Sequence, residues 1–131
     1  MKIVIAGGTI FKDYDVDTGL MEHKGSNLTD CLEDMMLNDQ PDVRFWGMHD
    51  SLEMTDSDRK SLYQFCKKIK DRRILVIHGT DTMTETHEYF PTDLRKTIVF
   101  TGALYPLCVK GTEAEFNLGF GIACTKTLPD G

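Results

Sequence analysis

The sequence predicts an α/β domain with a mostly parallel sheet and helices on both faces. Three observations carry this. Residues 3–6 and 74–77 are continuous apolar runs without polar alternation, the pattern of strands buried on both sides. Each run leads within two residues into glycine and then threonine, as Gly7-Gly8-Thr9 and as His78-Gly79-Thr80. The segments between strands place apolar residues at helical spacing, so the chain reads β-α-β-α-β-α-β-α.

Residues 2–6 form the first expected strand. Gly7 and Gly8 permit positive φ and close approach of another group, and they set Thr9 just past the strand end. Thr9 is there either a turn residue or a reactive hydroxyl. Residues 11–25 are polar, with Asp13, Tyr14, Asp15, Asp17, Gly19 and Gly25, and read as a hairpin or mobile loop. The alternating aspartates echo part of a calcium loop. The glycine and closing glutamate stand at the wrong spacing, so no metal site is expected. Tyr14 on its own reads as a surface aromatic.

Residues 26–38 read as a helix whose buried stripe is Leu28, Cys31, Leu32, Met35 and Met36, capped by Ser26 or Asn27. Pro41 and Asp42 break it, and residues 43–46 form a second strand. A polar loop, 47–55, follows at the same sheet edge. Its Asp50 and Ser51 either bind the polar ends of a small ligand or make a solvated turn. Thr55 and Asp58 resemble a capping box for a helix reaching Lys70, with Leu62, Phe65, Cys66 and Ile69 inward. Lys67, Lys68 and Lys70 suit the helix dipole at its end.

Beyond the strand at 74–77, Thr80, Asp81 and Thr82 set hydroxyls beside a carboxylate. They either cap the next helix, 82–90, or do chemistry. His87 reads as surface or core edge. Residues 96–101 are the next strand, 104–111 a loop, and 113–124 a last helix with Phe116, Leu118 and Ile122 as apolar surface. Gly119 and Gly121 allow that helix close packing on the sheet. Pro129-Asp130-Gly131 is a turn signal of the kind that introduces another element.

The 131 residues suffice for one domain, and 40% hydrophobic with 27% charged residues is ordinary for a globular one. A net charge of −6 gives no support to nucleic-acid binding. No window approaches a membrane span, and the first apolar run is too short for a secretory signal. Cys31, Cys66, Cys108 and Cys124 are scattered, without a C-x-x-C pair. Packed, reduced thiols in a cytoplasmic protein are expected, forming neither disulfides nor a metal site. In a parallel sheet, loops beyond strand C-termini converge, which would bring Thr9, Asp50, Ser51, Thr80 and Asp81 to one crevice.

Five motifs in order resemble the bacterial and archaeal L-asparaginases, including the glutaminase-asparaginases. They are Gly7-Gly8-Thr9-Ile10; Asp50-Ser51-x-x-Met54-Thr55; and His78-Gly79-Thr80-Asp81-Thr82-Met83 with Glu85-Thr86. Lys96-Thr97-Ile98-Val99-x-Thr101-Gly102-Ala103 and Glu115-Phe116-Asn117-Leu118 complete the set. The resemblance covers nearly the whole chain. It implies a flavodoxin-like, three-layer amino-terminal domain over 1–131, and cofactor-free hydrolysis of an amino-acid side-chain amide to a carboxylate and ammonia. Thr9 matches the family's nucleophile, Thr80 its second catalytic threonine, and Asp81 its binder of the substrate's amino group. Asp50 and Ser51 match substrate-holding loop residues. Gly8 and Gly79 flank the backbone N–H groups that would serve the oxyanion. Tyr14 takes the place of the mobile-loop tyrosine that helps activate Thr9, in a shorter and differently composed loop.

Two features depart from the family. No lysine matches its activating lysine, since Lys110 and Lys126 fall outside that motif, and the 131 residues are expected to form the amino-terminal-type domain alone, without the family's smaller carboxy-terminal domain. In the family's homo-oligomers that domain helps complete the neighbouring subunit's site, and a homo-oligomer is expected here too. Two alternatives stand beside an asparaginase-like enzyme. One is a non-catalytic domain, which binds a small amino acid without turnover or is an inactive, truncated form that has lost activity with the missing lysine. The other is the amide-cleaving subunit of a tRNA-dependent amidotransferase.

Overall fold

The computed structural model describes residues 1–24 and 28–130. The expected caps Ser26 and Asn27 lie outside the described residues. In chain order the elements are β1 (Lys2–Gly7), a 3-10 turn (Thr9–Phe11), β2 (Lys12–Tyr14), β3 (Met21–His23), α1 (Leu28–Asp34) and β4 (Asp42–His49). A second 3-10 turn (Ser51–Glu53), α2 (Asp56–Lys68), β5 (Arg73–Ile77), α3 (Met83–His87), a third 3-10 turn (Thr92–Leu94), β6 (Thr97–Thr101) and α4 (Ala114–Thr127) follow.

Four strands form one parallel sheet in the order β4-β1-β5-β6. The chain leaves β1 toward β4 and then returns across it to β5, so the β1/β5 boundary is a topological switch point. With right-handed crossovers, that reversal sends the connecting helices to opposite faces. Strand alternation supplies a core for each. Ile3, Ile5, Leu75 and Ile77 pack with Leu28 and Leu32 of α1 and Ala114, Leu118 and Ile122 of α4. Val4, Ala6, Ile74 and Val76 pack with Leu62 and Cys66 of α2 and with Met54 and Phe90. The molecule is the expected three-layer, flavodoxin-like α/β domain.

The elements depart from expectation where phase or pairing overrides local pattern. β4 runs three residues past Trp46, because its register against β1 shifts between Ile5↔Phe45 and Gly7↔His49 and absorbs the extra chain. Helix α1 stops at Asp34. Met36 then takes a left-handed φ of 47° and is 86% exposed, so only Met35 of that pair reaches the core. On α4 the inward stripe is Ala114, Leu118 and Ile122; Phe116 points outward and stacks on Phe120. A Cβ on Gly121 would lie 2.8 Å from Leu75 Cδ1, whereas Gly119 faces open space, so close packing belongs to Gly121 alone.

The described part of the expected loop, residues 11–24, contributes the hairpin β2–β3. Asp15 Oδ1 accepts from the N–H groups of Asp17 (2.8 Å) and Thr18 (3.0 Å), and Lys24 pairs with its other oxygen at 2.8 Å. These contacts, the Lys24 ammonium foremost, hold the Asp15 carboxyl down at about 2. The carboxylate that looked like part of a cation loop is thus spent on the turn. The Thr55–Asp58 capping box forms as expected and starts α2. Burial pushes the Cys66 thiol up to about 12, which keeps it protonated. All four cysteines are free, with Cys108 exposed.

Candidate active site

Gly8 adopts φ 99° and its N–H donates to the His49 carbonyl at 3.0 Å. A Cβ there would stand 2.7 Å from both Cα and N of Gly79. The loops after β1 and β5 therefore meet backbone to backbone at the switch point, closer than any side chain permits. The third loop joins them at Gly79, where a Cβ would fall 2.6 Å from Ser51 Cβ. At Gly102, past β6, a Cβ would reach Thr80 Cγ2 at 3.3 Å. Four strand ends thus converge on one crevice.

Thr9 opens the 3-10 turn and is half-buried, while Thr80 and Asp81 are exposed. Ser51 is 1% exposed, and its Oγ has no hydrogen-bond partner among the described residues. Such an orphaned buried hydroxyl implies a ligand or water. Asp50 accepts from Leu52 N–H at 3.1 Å and pairs with Lys12 Nζ at 3.1 Å. The backbone hydrogen bond and the lysine hold its carboxyl below the usual range. Asp50 thereby fixes the turn that presents Ser51. Tyr14 is 55% exposed, and its hydroxyl lies over its own hairpin turn beside Gly19.

Two side chains absent from the sequence reading reach the crevice from the hairpin. Lys12 and His23 are cross-strand partners and so share a face. Lys12 extends to Asp50, and the buried Nε2 of His23 has no partner among the described residues. Burial, and then the Lys12 charge, lower the His23 pKa; Asp50, the Gly8 carbonyl and Glu53 oppose this. The net shift disfavours the protonated ring. The signal for this cluster was the pairing of 12 with 23, which alternation alone does not fix.

A third omission is Arg59, 5% exposed within α2. Its Nη2 donates to Met54 O (3.4 Å), Thr82 Oγ1 (3.1 Å) and Glu85 Oε2 (3.4 Å). Its Nη1 donates to Thr86 Oγ1 and, at 3.5 Å, to Thr82 O. Thr82 Oγ1 in turn donates to Ser51 O at 2.8 Å, and so does not cap α3. The signal was present: Arg59 stands three residues before Leu62 and seven before Cys66, on the buried stripe.

His78 is also buried, with Nδ1 2.8 Å from Gly79 O and Nε2 2.9 Å from Thr86 Oγ1. Burial lowers its pKa first, and Arg59 and His49 add to this against the Gly79 carbonyl. A lowered histidine pKa means the native state resists protonation. The stability carried by the neutral rings is fully present above about pH 6.5 and is lost as pH falls through the folded values. In an NMR titration, the ring C–H signals of His23 and His78 are expected to have midpoints below about 6.5. Midpoints at or above that value would show the rings to be hydrated or ion-paired.

Among the described residues, no group of three His, Cys, Asp or Glu side chains is placed to hold a metal ion. No helix among them is long and apolar enough to cross a membrane. An open cavity of about 400 Å³ lies at the other end of the sheet, lined by Lys2, Arg44, Phe65 and Asp71. Lys2 there is paired with Asp42 and Asp71.

A parallel α/β domain whose glycine–threonine loops meet at the switch point, with an orphaned serine between them, belongs to the flavodoxin-like class, in which ligands sit at that crevice. The family model for the asparaginase amino-terminal domain matches residues 1–129, and the chain belongs to that family. No curated protein sequence matches it. Its fold is similar to the thermostable L-asparaginase from Thermococcus kodakarensis, with TM-score 0.75, 22% identity, and coverage of 98% of this chain and 42% of that one. L-asparaginase I from Vibrio cholerae gives 0.71 and 23%, over 95% and 40% of the two chains. A probable cytoplasmic L-asparaginase from Campylobacter jejuni gives 0.71 and 25%, over 93% and 38%. The chain thus spans about two-fifths of the length of these structures.

Proposed function

We propose that the protein hydrolyses the side-chain amide of L-asparagine, or of L-glutamine, through an ester on Thr9. The observation that carries this reading is the Gly8–Gly79 contact, which sets the Thr9 turn against the Thr80–Asp81 loop. Thr9 Oγ attacks the amide carbon, the C–N bond breaks, and ammonia leaves. Water then cleaves the ester to the free carboxylate and restores Thr9. The Gly8 N–H is occupied by His49, so the oxyanion falls to the N–H groups of Thr9 and Thr80. Thr80 supports the proton transfers from the facing loop.

A threonine hydroxyl needs a proton acceptor. The hairpin face carrying Lys12, Tyr14 and His23 supplies one, in the buried and unpartnered Nε2 of His23. Ser51 donates its unpartnered hydroxyl to the substrate's α-carboxylate, and Asp81 pairs the ammonium. Asp50 positions Ser51 in this scheme. The protein acts without a cofactor, in the cytoplasm, as a homo-oligomer. The free thiols and the cytoplasmic Campylobacter neighbour support that location.

The test is ammonia release from L-asparagine and L-glutamine by the purified chain. Asp81→Asn is expected to raise KM by about 10- to 100-fold, since a charge-assisted hydrogen bond contributes roughly 1.5–3 kcal/mol. Unchanged KM removes Asp81 from the ammonium site. The buried, unpartnered Ser51 hydroxyl also fits a second reading, an amino-acid-binding domain without turnover. Binding of L-asparagine without ammonia release decides for it.

A further inference from the structure

The loops that grip the ligand in the proposed reaction come from different strands, yet one buried guanidinium ties them. Arg59 reaches the Met54 carbonyl in the loop after β4, and the hydroxyl and carbonyl of Thr82 in the loop after β5. Thr82 completes the closure by donating to Ser51 O. A second arm fixes the other end of the same loop. The Gly79 carbonyl can only accept, so the neutral His78 ring carries its proton on Nδ1 and donates it there. Nε2 is then bare and accepts from the Thr86 hydroxyl, whose lone pairs accept from Arg59. The exposed Thr80–Asp81 dipeptide lies between two points fixed by one side chain. Only the forked, five-donor geometry of arginine serves these acceptors together.

We propose that Arg59 is a positioning residue that locks the Ser51 and Thr80–Asp81 loops into one ligand-gripping unit. The consequence for ligand affinity rests on the proposed amino-acid site; the consequence for loop rigidity does not. The ion pair with Glu85 is peripheral, because Glu85 is 63% exposed while Arg59 is 6% exposed at the side chain.

The experiment compares Arg59→Met, Arg59→Lys and Glu85→Gln with the parent by amide hydrogen exchange and by NMR titration with L-aspartate, the expected product. Arg59→Met is expected to speed exchange at residues 79–82 at least 10-fold and to weaken L-aspartate about 10-fold. Arg59→Lys is expected to recover part of both, and Glu85→Gln to match the parent. A residue that merely fills space predicts that methionine, similar in length and apolar, preserves both readouts. Parent-like exchange in Arg59→Met overturns the proposal. If that variant does not fold, Thr82→Val keeps the side-chain shape and removes the Ser51 link, and parent-like exchange in it overturns the proposal equally. If the parent protein binds no L-aspartate, the amino-acid reading fails, while exchange at 79–82 still decides the role of Arg59.

Discussion

Thr9→Ala is expected to lower ammonia release from L-asparagine by at least about 10⁴-fold, the scale seen when a covalent nucleophile is removed. The same change is expected to leave the fold intact. Thr9 is half-buried at the mouth of the crevice, and its hydroxyl makes no hydrogen bond among the described residues. Thermal unfolding should then shift by no more than about 2–4 °C, corresponding to under about 0.5 kcal/mol for a surface-type substitution. Activity within tenfold of the parent in a folded Thr9→Ala protein removes Thr9 as nucleophile and directs attention to Thr80. Lost activity with lost folding would be uninformative, so the two measurements belong together.

The second large effect is expected at Gly8. Its φ of 99° lies where an L side chain is strained, and its Cβ would meet the backbone of Gly79 at 2.7 Å. The strain contributes roughly 1–2 kcal/mol and the overlap roughly 1–3 kcal/mol, so Gly8→Ala should destabilise by about 3 kcal/mol. Gly111 supplies an internal control, having φ 78° and open space around it. Gly111→Ala then reports the conformational cost alone. Urea unfolding should place Gly8→Ala well below Gly111→Ala, and equal midpoints would mean that the two loops do not touch. A Gly8→Ala protein that remains folded should also lose turnover, because the Thr9 and Thr80 loops would be forced apart.

Much of this was legible in the sequence, for physical reasons that can be separated. The strands at 3–6 and 74–77 are buried on both faces, so burial wrote them as unbroken apolar runs. The Thr55–Asp58 cap is local chemistry and reads directly. The convergence of the loops follows from parallel topology, which the order of elements already implied. Met36 and Phe116 were misjudged because helical phase matters only while the helix continues and only against the face that is covered. Lys12 and His23 depend on hairpin register, a pairing between distant positions. Arg59 was overlooked because a stripe is read by counting apolar residues. A charge on that stripe, once inside, must find partners, and here those partners are the site loops.

The central position of β1 also bears on the order of folding. Its partners begin at Asp42 on one side and Ile74 on the other, and no neighbour nearer in sequence shields it within the sheet. During synthesis the strand that carries the Thr9 turn therefore waits, apolar, with one edge open until β4 has emerged and the other until β5 has. Such long-range closure slows folding and prolongs the exposure of a sticky segment. The strand that carries the proposed nucleophile is thus made well before either neighbour and is flanked on both sides only once β5 joins.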